Sequence, residues 1–249
     1  MDASRQTTST RPPQPDHEEF HLRRDPHRQG AGISDVVLGG QDGLVNVLGV
    51  ILGVAAATHS TRIVLVAGLA AALAESVSMA AVAYTATNAD AEIYESERAR
   101  EMRHIEAVPH LEKDEIREIY KKKGFGGELL EKVVDTITSN KEVWVAVMMA
   151  EEHNLAKVEK GHAIRSALVV GISAIVGSLV PLVPFLALPV PSAMAASVVV
   201  AAATLFLAGV YKAHVTTGRW WRSGLELSAI GMAAALVGYL VGALLGVQI

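Results

Sequence analysis

Apolar residues along this chain run in long blocks and do not alternate. Ile33–Ala57 is apolar apart from Ser34, Asp35, Gln41, Asp42 and Asn46, and Ile63–Ala86 carries one charge, Glu75. Further blocks run from about Ala163 to Leu188, from Ser192 to Val210 and from Leu225 to Val247, the last with Glu226 near its start. A hydrocarbon core roughly 30 Å thick takes about 20 helical residues at 1.5 Å each, so every block predicts a transmembrane helix. The polar stretch 88–162 separates the second block from the third. Residues 1–32 are polar and rich in Pro, His and Arg, which reads as a disordered tail and lacks the early apolar core of a signal peptide.

From Ile63 to Ala107 there is no proline, and Ala, Glu and Arg dominate beyond Asn88. The second span is therefore expected to continue as helix until Pro109 stops it. Helices are expected over Leu111–Lys123, closed by Gly124 as a C-cap, over Gly127–Thr138, and over Lys141–Lys160. No internal repeat and no strand-length alternation appears, so the fold class is all-α.

Composition narrows the picture. Of 249 residues 51% are hydrophobic and 19% charged, an apolar excess beyond that of an ordinary soluble domain. The chain has no cysteine, which excludes disulfide scaffolds, Cys-ligated zinc and thiol nucleophiles. The net charge of -4 comes without a basic stripe interleaved with aromatics, so no nucleic-acid partner is expected. Of the 22 Lys and Arg, all but Arg62 fall on one side of the five spans. The positive-inside rule then places the N-terminus and 88–162 in the cytosol and the C-terminus outside, with Trp220 and Trp221 as an interfacial anchor. Gly49-xxx-Gly53, Gly238-xxx-Gly242 and Gly242-xxx-Gly246 are spacings that let helices approach closely.

The candidate chemistry has two locations. In 88–162, which holds 17 of the 26 acidic residues, Glu101 and His104 are three apart and share a helix face, as do Glu112 and Glu115. Met148 and Met149 lie four and three residues before Glu152. Carboxylates, imidazole and thioether on packed helices suit a divalent transition metal. The same spacing also fits a solvated face with i,i+4 ion pairs, and spacing alone leaves both readings open. The second location is the membrane. An Asp at bilayer depth costs about 2.5–3.5 kcal/mol on insertion scales and marks a cavity or path. Asp42, with Asn46 one turn on, and Glu75, with Met79 one turn on, describe a path for a partly dehydrated metal cation.

At these residues the chain resembles the vacuolar iron transporter family, over roughly residues 30–249. The matching stretches are Gly40-Gln41-Asp42-Gly43-Leu44, Ser78-Met79, Glu101, Val108-Pro109, Glu112, Glu115, Trp144, Met148-Met149 with Glu152, and Leu179-Val180-Pro181-Leu182-Val183-Pro184. The resemblance implies export of Fe²⁺ from the cytosol, with Mn²⁺, Co²⁺ or Zn²⁺ as further substrates, in exchange for protons. It also implies a homodimer with the path at the subunit interface, and a cytosolic helical metal-binding domain. By position, Asp42 and Met79 become path residues. Glu101, Glu112, Glu115, Met148, Met149 and Glu152 become cytosolic ligands. His104 stands where the family pattern has a glutamate. Ala71 stands where some members have a second-span glutamate, with Glu75 one turn later.

The expected architecture is thus an all-α integral membrane protein of five transmembrane helices. A cytosolic tail (1–32) and helices 1–2 (33–87) precede a cytosolic metal-binding domain (88–162) inserted between spans 2 and 3, and helices 3–5 follow (163–249). It would sit in a bacterial cell membrane or a eukaryotic vacuolar membrane. The reading is of a proton-coupled transporter and not an enzyme, with no ATP-binding Gly-rich loop to power it. The competing reading is a membrane-anchored, ferritin-like iron-storage protein, which would need two Glu-x-x-His helices where only Glu101/His104 is evident. A third is an interaction protein whose acidic segment meets a basic partner.

Overall fold

The structure, a computed structural model, describes residues 31–159, 161–215 and 219–246; the tail expected over 1–32 lies outside these, apart from Ala31 and Gly32. The described residues contain helices and no strand. They are α1 (Ala31–Thr58), α2 (Thr61–Ala107), α3 (Pro109–Lys122), α4 (Gly127–Thr138), α5 (Lys141–Glu151), α6 (His162–Leu179) with a 3-10 extension (Val180–Leu186), α7 (Val190–Val215) and α8 (Trp220–Leu244). Five are long and apolar enough to cross a membrane: α1, α2, α6 with its extension, α7 and α8.

α1 is the centre of the apolar bundle and packs on α2, α6, α7 and α8. Two glycine contacts set its position. On one side Gly39 and Gly43 lie against the backbone of Val170 and Ala174, and Gly177 against that of Gly40, joining α1 to α6. On the other, Gly49 meets Gly238 and Gly53 meets Gly242, backbone against backbone, so the two expected glycine motifs pack on each other. Gly246, the third expected partner, meets only its own helix. Helices in lipid gain little from hydrophobic sorting, so such close van der Waals contact is what holds them. Leu44, Val47, Leu48 and Ile51 fill the space between these contacts. α6 and α1 bury more of their apolar length than α2 and α8 do, which puts the former pair inside. Val66, Leu73 and Val77 of α2 and Leu236 and Val237 of α8 are exposed on the outer faces.

The third span stops being α-helical earlier than expected. Pro181 and Pro184 carry no N–H and crowd the carbonyl four residues back, so after Leu179 the chain tightens into the 3-10 turn. The Ser197 hydroxyl donates to the Pro181 carbonyl at 2.7 Å, satisfying a polar group inside the apolar bundle.

The polar stretch forms its own helical unit. The end of α2 and helices α3, α4 and α5 enclose Tyr94, Ile105, Ile116, Leu130, Val134, Ile137, Trp144, Val145, Met148 and Met149. α2 passes unbroken from the bundle into this unit over 47 residues. Gly124, at φ +96°, closes α3 as expected. α5 is shorter than expected: it ends at Glu151, not Lys160. Asn154 takes a left-handed φ of 58°, which Asn tolerates better than most residues, and His153 turns back to donate its N–H to the Met148 carbonyl at 3.3 Å.

A Cβ at Gly242 would run into the Gly53 backbone, which no rotamer change relieves. Gly242→Val should therefore destabilise the bundle by about 1–3 kcal/mol, the usual overpacking cost. Gly246→Val, in the same spacing but without a facing helix, should leave the melting temperature in detergent unchanged.

Candidate functional site

The polar unit is amphipathic by design of its sequence spacing, and two acids interrupt the apolar pattern. On α2, Tyr94, Glu101 and Ile105 recur at helical spacing on the inward face; on α3, Glu112 and Ile116 do the same. Glu101 is 3% exposed and Glu112 5%, in positions where a leucine would normally pack. An oxygen of one carboxyl lies within 4.8 Å of an oxygen of the other. Even so, Oε1 of Glu101 and Oε2 of Glu112 are buried with no partner. An unsatisfied buried carboxylate oxygen costs a few kcal/mol unless a proton or cation meets it.

Two imidazoles flank the pair. Nδ1 of His104 lies 3.6 Å from Oε1 of Glu112, and Nε2 of His153 lies 3.3 Å from Oε2 of Glu101. Glu101, His104 and Glu112 offer one donor atom each within 4.8 Å of one another, and so do Glu101, Glu152 and His153. Glu115 and Glu152 are exposed and line one cleft together with Leu111, Asp114, Glu118 and Lys122. Met148 and Met149 are fully buried in the unit's apolar core, on the turn before Glu152.

Burial pushes the Glu112 carboxyl up to about 8, helped by its hydrogen bond to Glu101 and by the charges of Glu101, Glu115 and Glu152. Glu152 is also raised, first by burial and then by the Glu115 charge. Elsewhere in the unit acids find bases. Arg98 meets Glu142 at 2.6 Å, Lys113 meets Asp135 at 2.6 Å, Arg117 meets Glu131 at 2.8 Å, and Lys141 meets Glu106 at 3.1 Å. Among the described residues no Lys or Arg pairs with Glu101, Glu112, Glu115 or Glu152. The solvated-face reading therefore describes the outer acids, and Glu101 and Glu112, buried and without a base, stand apart from it.

Within the bundle, Asn46 donates from Nδ2 to Oδ2 of Asp42 at 3.2 Å, halfway along α1. Glu75 of α2 lies close to both and interacts with them electrostatically. Met79, one turn further along α2, is half-buried. Asn46 is exposed and Asp42 and Glu75 are partly so, which leaves this polar edge open on the surface of the single chain.

Helical periodicity did not single out His153. It follows Glu152 directly, and on a helix running to Lys160 it would point about 100° away. The signal available in the sequence was Asn154, whose tolerance of the left-handed region ends the helix and turns His153 back toward Glu101.

Five membrane-length helices with acids at mid-span make this an all-helical, multi-pass membrane protein and not a soluble carboxylate bundle. A family model for the VIT family matches residues 33–243, and the chain belongs to that family. Vacuolar iron transporter 2 of Oryza sativa subsp. japonica is 34% identical over 230 residues, covering 90% of this chain and 94% of that protein. Vacuolar iron transporter 1 of Arabidopsis thaliana is 32% identical over 211 residues, 84% of each chain. Vacuolar iron transporter 1 of Oryza sativa subsp. japonica is 33% identical over 224 residues, 90% of this chain and 89% of that protein.

A carboxyl raised from an ordinary value of 4.5 to about 8 binds more protons folded than unfolded. Its contribution to stability is full below the unfolded value and is lost as pH rises through about 8. The metal-free protein should therefore melt at falling temperature between pH 5 and 8. Glu112→Gln should flatten that slope in a series of thermal scans.

Proposed function

We propose that this chain is a secondary transporter that moves Fe²⁺ out of the cytosol in exchange for protons, with Mn²⁺, Co²⁺ and Zn²⁺ as further substrates. The observation that carries the reading is the buried pair Glu101 and Glu112, each with an orphaned oxygen and no Lys or Arg to neutralise it. Only a cation or a proton stabilises such a cluster, and the two compete there. The names of the relatives, all vacuolar iron transporters, support iron as the cargo.

In this reading the polar helical unit is cytosolic and collects metal through Glu101, His104, Glu112, Glu115 and Glu152, with Met148 and Met149 supplying thioether sulfur. Asp42, Asn46, Glu75 and Met79 form the path. Carboxylates at mid-span cannot face lipid, and the open edge they occupy is closed by a second copy of the chain, making a homodimer with paired Asp42 and Met79. The basic residues support the orientation: all but Arg62 lie on the side assigned to the cytosol. Ferritin-like storage is the weaker reading, because it gives the intramembrane Asp42 and Glu75 no task.

Uptake of several divalent ions into proteoliposomes, with and without an imposed pH gradient, tests this. Transport should rise with a gradient that drives protons against the metal, and transport indifferent to it would remove the exchange step. Asp42→Asn keeps size and hydrogen bonding but not charge. It should abolish proton-linked transport while metal binding by residues 88–160, measured by calorimetry on the whole chain, stays near wild type. Near-normal transport by that variant would sink the assignment of Asp42.

A further inference from the structure

We infer that His153 is a metal ligand of the polar unit, and that it tilts the site toward ions that favour nitrogen. This rests on the reading of the carboxylate cluster as a metal site, and adds to it a residue outside the helical spacing that defines the cluster.

The geometry comes first. Nε2 of His153 lies 3.3 Å from Oε2 of Glu101, and Glu101, Glu152 and His153 each offer one donor atom within 4.8 Å of the others. The other oxygen of Glu101 is buried and without a hydrogen-bond partner. The Glu101 side chain is 4% exposed, so it is held in place from inside, while that of His153 is 29% exposed and reachable from solvent. The turn at Asn154 fixes where the ring begins, since the His153 N–H is bonded to the Met148 carbonyl.

Charge argues against a merely structural ion pair. The two imidazoles of His104 and His153 face four carboxyls, since Glu101, Glu112, Glu115 and Glu152 lack any Lys or Arg partner among the described residues. A divalent ion at the midpoint of Glu101, Glu152 and His153 would meet two carboxylate oxygens and one nitrogen. It would keep open positions for water or for handover. Glu101 also belongs to the set with His104 and Glu112, so one carboxylate serves two donor sets, each with its own imidazole.

Imidazole suits Fe²⁺, Co²⁺ and Zn²⁺, whereas all-oxygen sites suit Mn²⁺, Mg²⁺ and Ca²⁺. Coordination through Nε2 would replace its contact with Oε2 of Glu101 by bonds from both atoms to one ion. Removing His153 therefore leaves an oxygen-rich site of lower nitrogen content, and discrimination between metals should fall with it.

The test uses the full chain in detergent, titrated calorimetrically with Co²⁺, Zn²⁺ and Mn²⁺, and with Co²⁺ followed by its visible absorption. His153→Ala and His153→Gln should both weaken Co²⁺ and Zn²⁺ binding on the order of tenfold or more, the scale set by losing even an outer partner of a ligand. Mn²⁺ binding should change far less, and the Co²⁺ bands should shift in both variants. An unchanged Co²⁺-to-Mn²⁺ affinity ratio in both variants overturns the inference. So does a wild-type ratio restored by Gln alone, because the amide can replace a hydrogen bond to Glu101 but not a nitrogen ligand. Glu101→Gln separates the two levels of the argument. If it abolishes binding while His153 variants behave as wild type, the metal site stands and only His153 falls. If Glu101→Gln binds metal normally, the site itself is elsewhere and His153 falls with it.

Discussion

A helix with an aspartate at its midpoint can lie inside a lipid bilayer only if protein or water covers that midpoint, and the bundle is arranged around this constraint. α1 carries Asp42 and Asn46 and is gripped from two sides by contacts in which backbone meets backbone. Those contacts leave little room for rotation about the helix axis. Glycine at Gly39, Gly43, Gly53 and Gly242 is thus a requirement of position: a larger residue would move α1 outward and carry the polar groups away from Glu75.

The polar unit solves the opposite problem. Glu106, Glu131, Asp135 and Glu142 on its surface are matched to Arg and Lys across neighbouring helices, while the interior acids Glu101 and Glu112 are left without them. An apolar pair in place of Glu101 and Glu112 would bury the same faces without the desolvation cost, as buried ion clusters commonly allow. Stability alone does not account for these two residues. Trp144, Met148, Met149 and Ile116 belong to the apolar core that packs around them.

The spans, the continuation of α2 beyond the bundle, the stop at Pro109 and the Gly124 cap were legible because each depends on local chemistry: block hydrophobicity, proline sterics, glycine's freedom. The glycine motifs were legible as spacings, but which pair faced which was not, since that depends on how α1 and α8 cross. Glu101 and Glu112 were visible as candidates, yet their separation from the other acids was not. Whether an acid meets a base depends on distances between helices such as α2 and α5, and sequence spacing reports only distances within one helix. The end of α5 was only faintly legible: Asn154 tolerates the left-handed region, but nothing else in 152–160 marks a stop. The 3-10 turn after Leu179 was not legible in a block whose hydrophobicity runs on to Leu188, since it depends on the sterics of Pro181 and Pro184.

α2 gives the two acidic centres a mechanical relation. Glu75 and Glu101 stand on one uninterrupted helix, roughly 40 Å apart at about 1.5 Å of rise per residue. Over that arm, a tilt of about 5° at the bundle end displaces the far carboxylate by about 3 Å, more than a metal–oxygen bond length of roughly 2 Å. In the proposed metal site the rod would convert a small angular change into a make-or-break change in coordination geometry. The two centres can shift independently only where α2 bends, and no proline lies within it to let it bend.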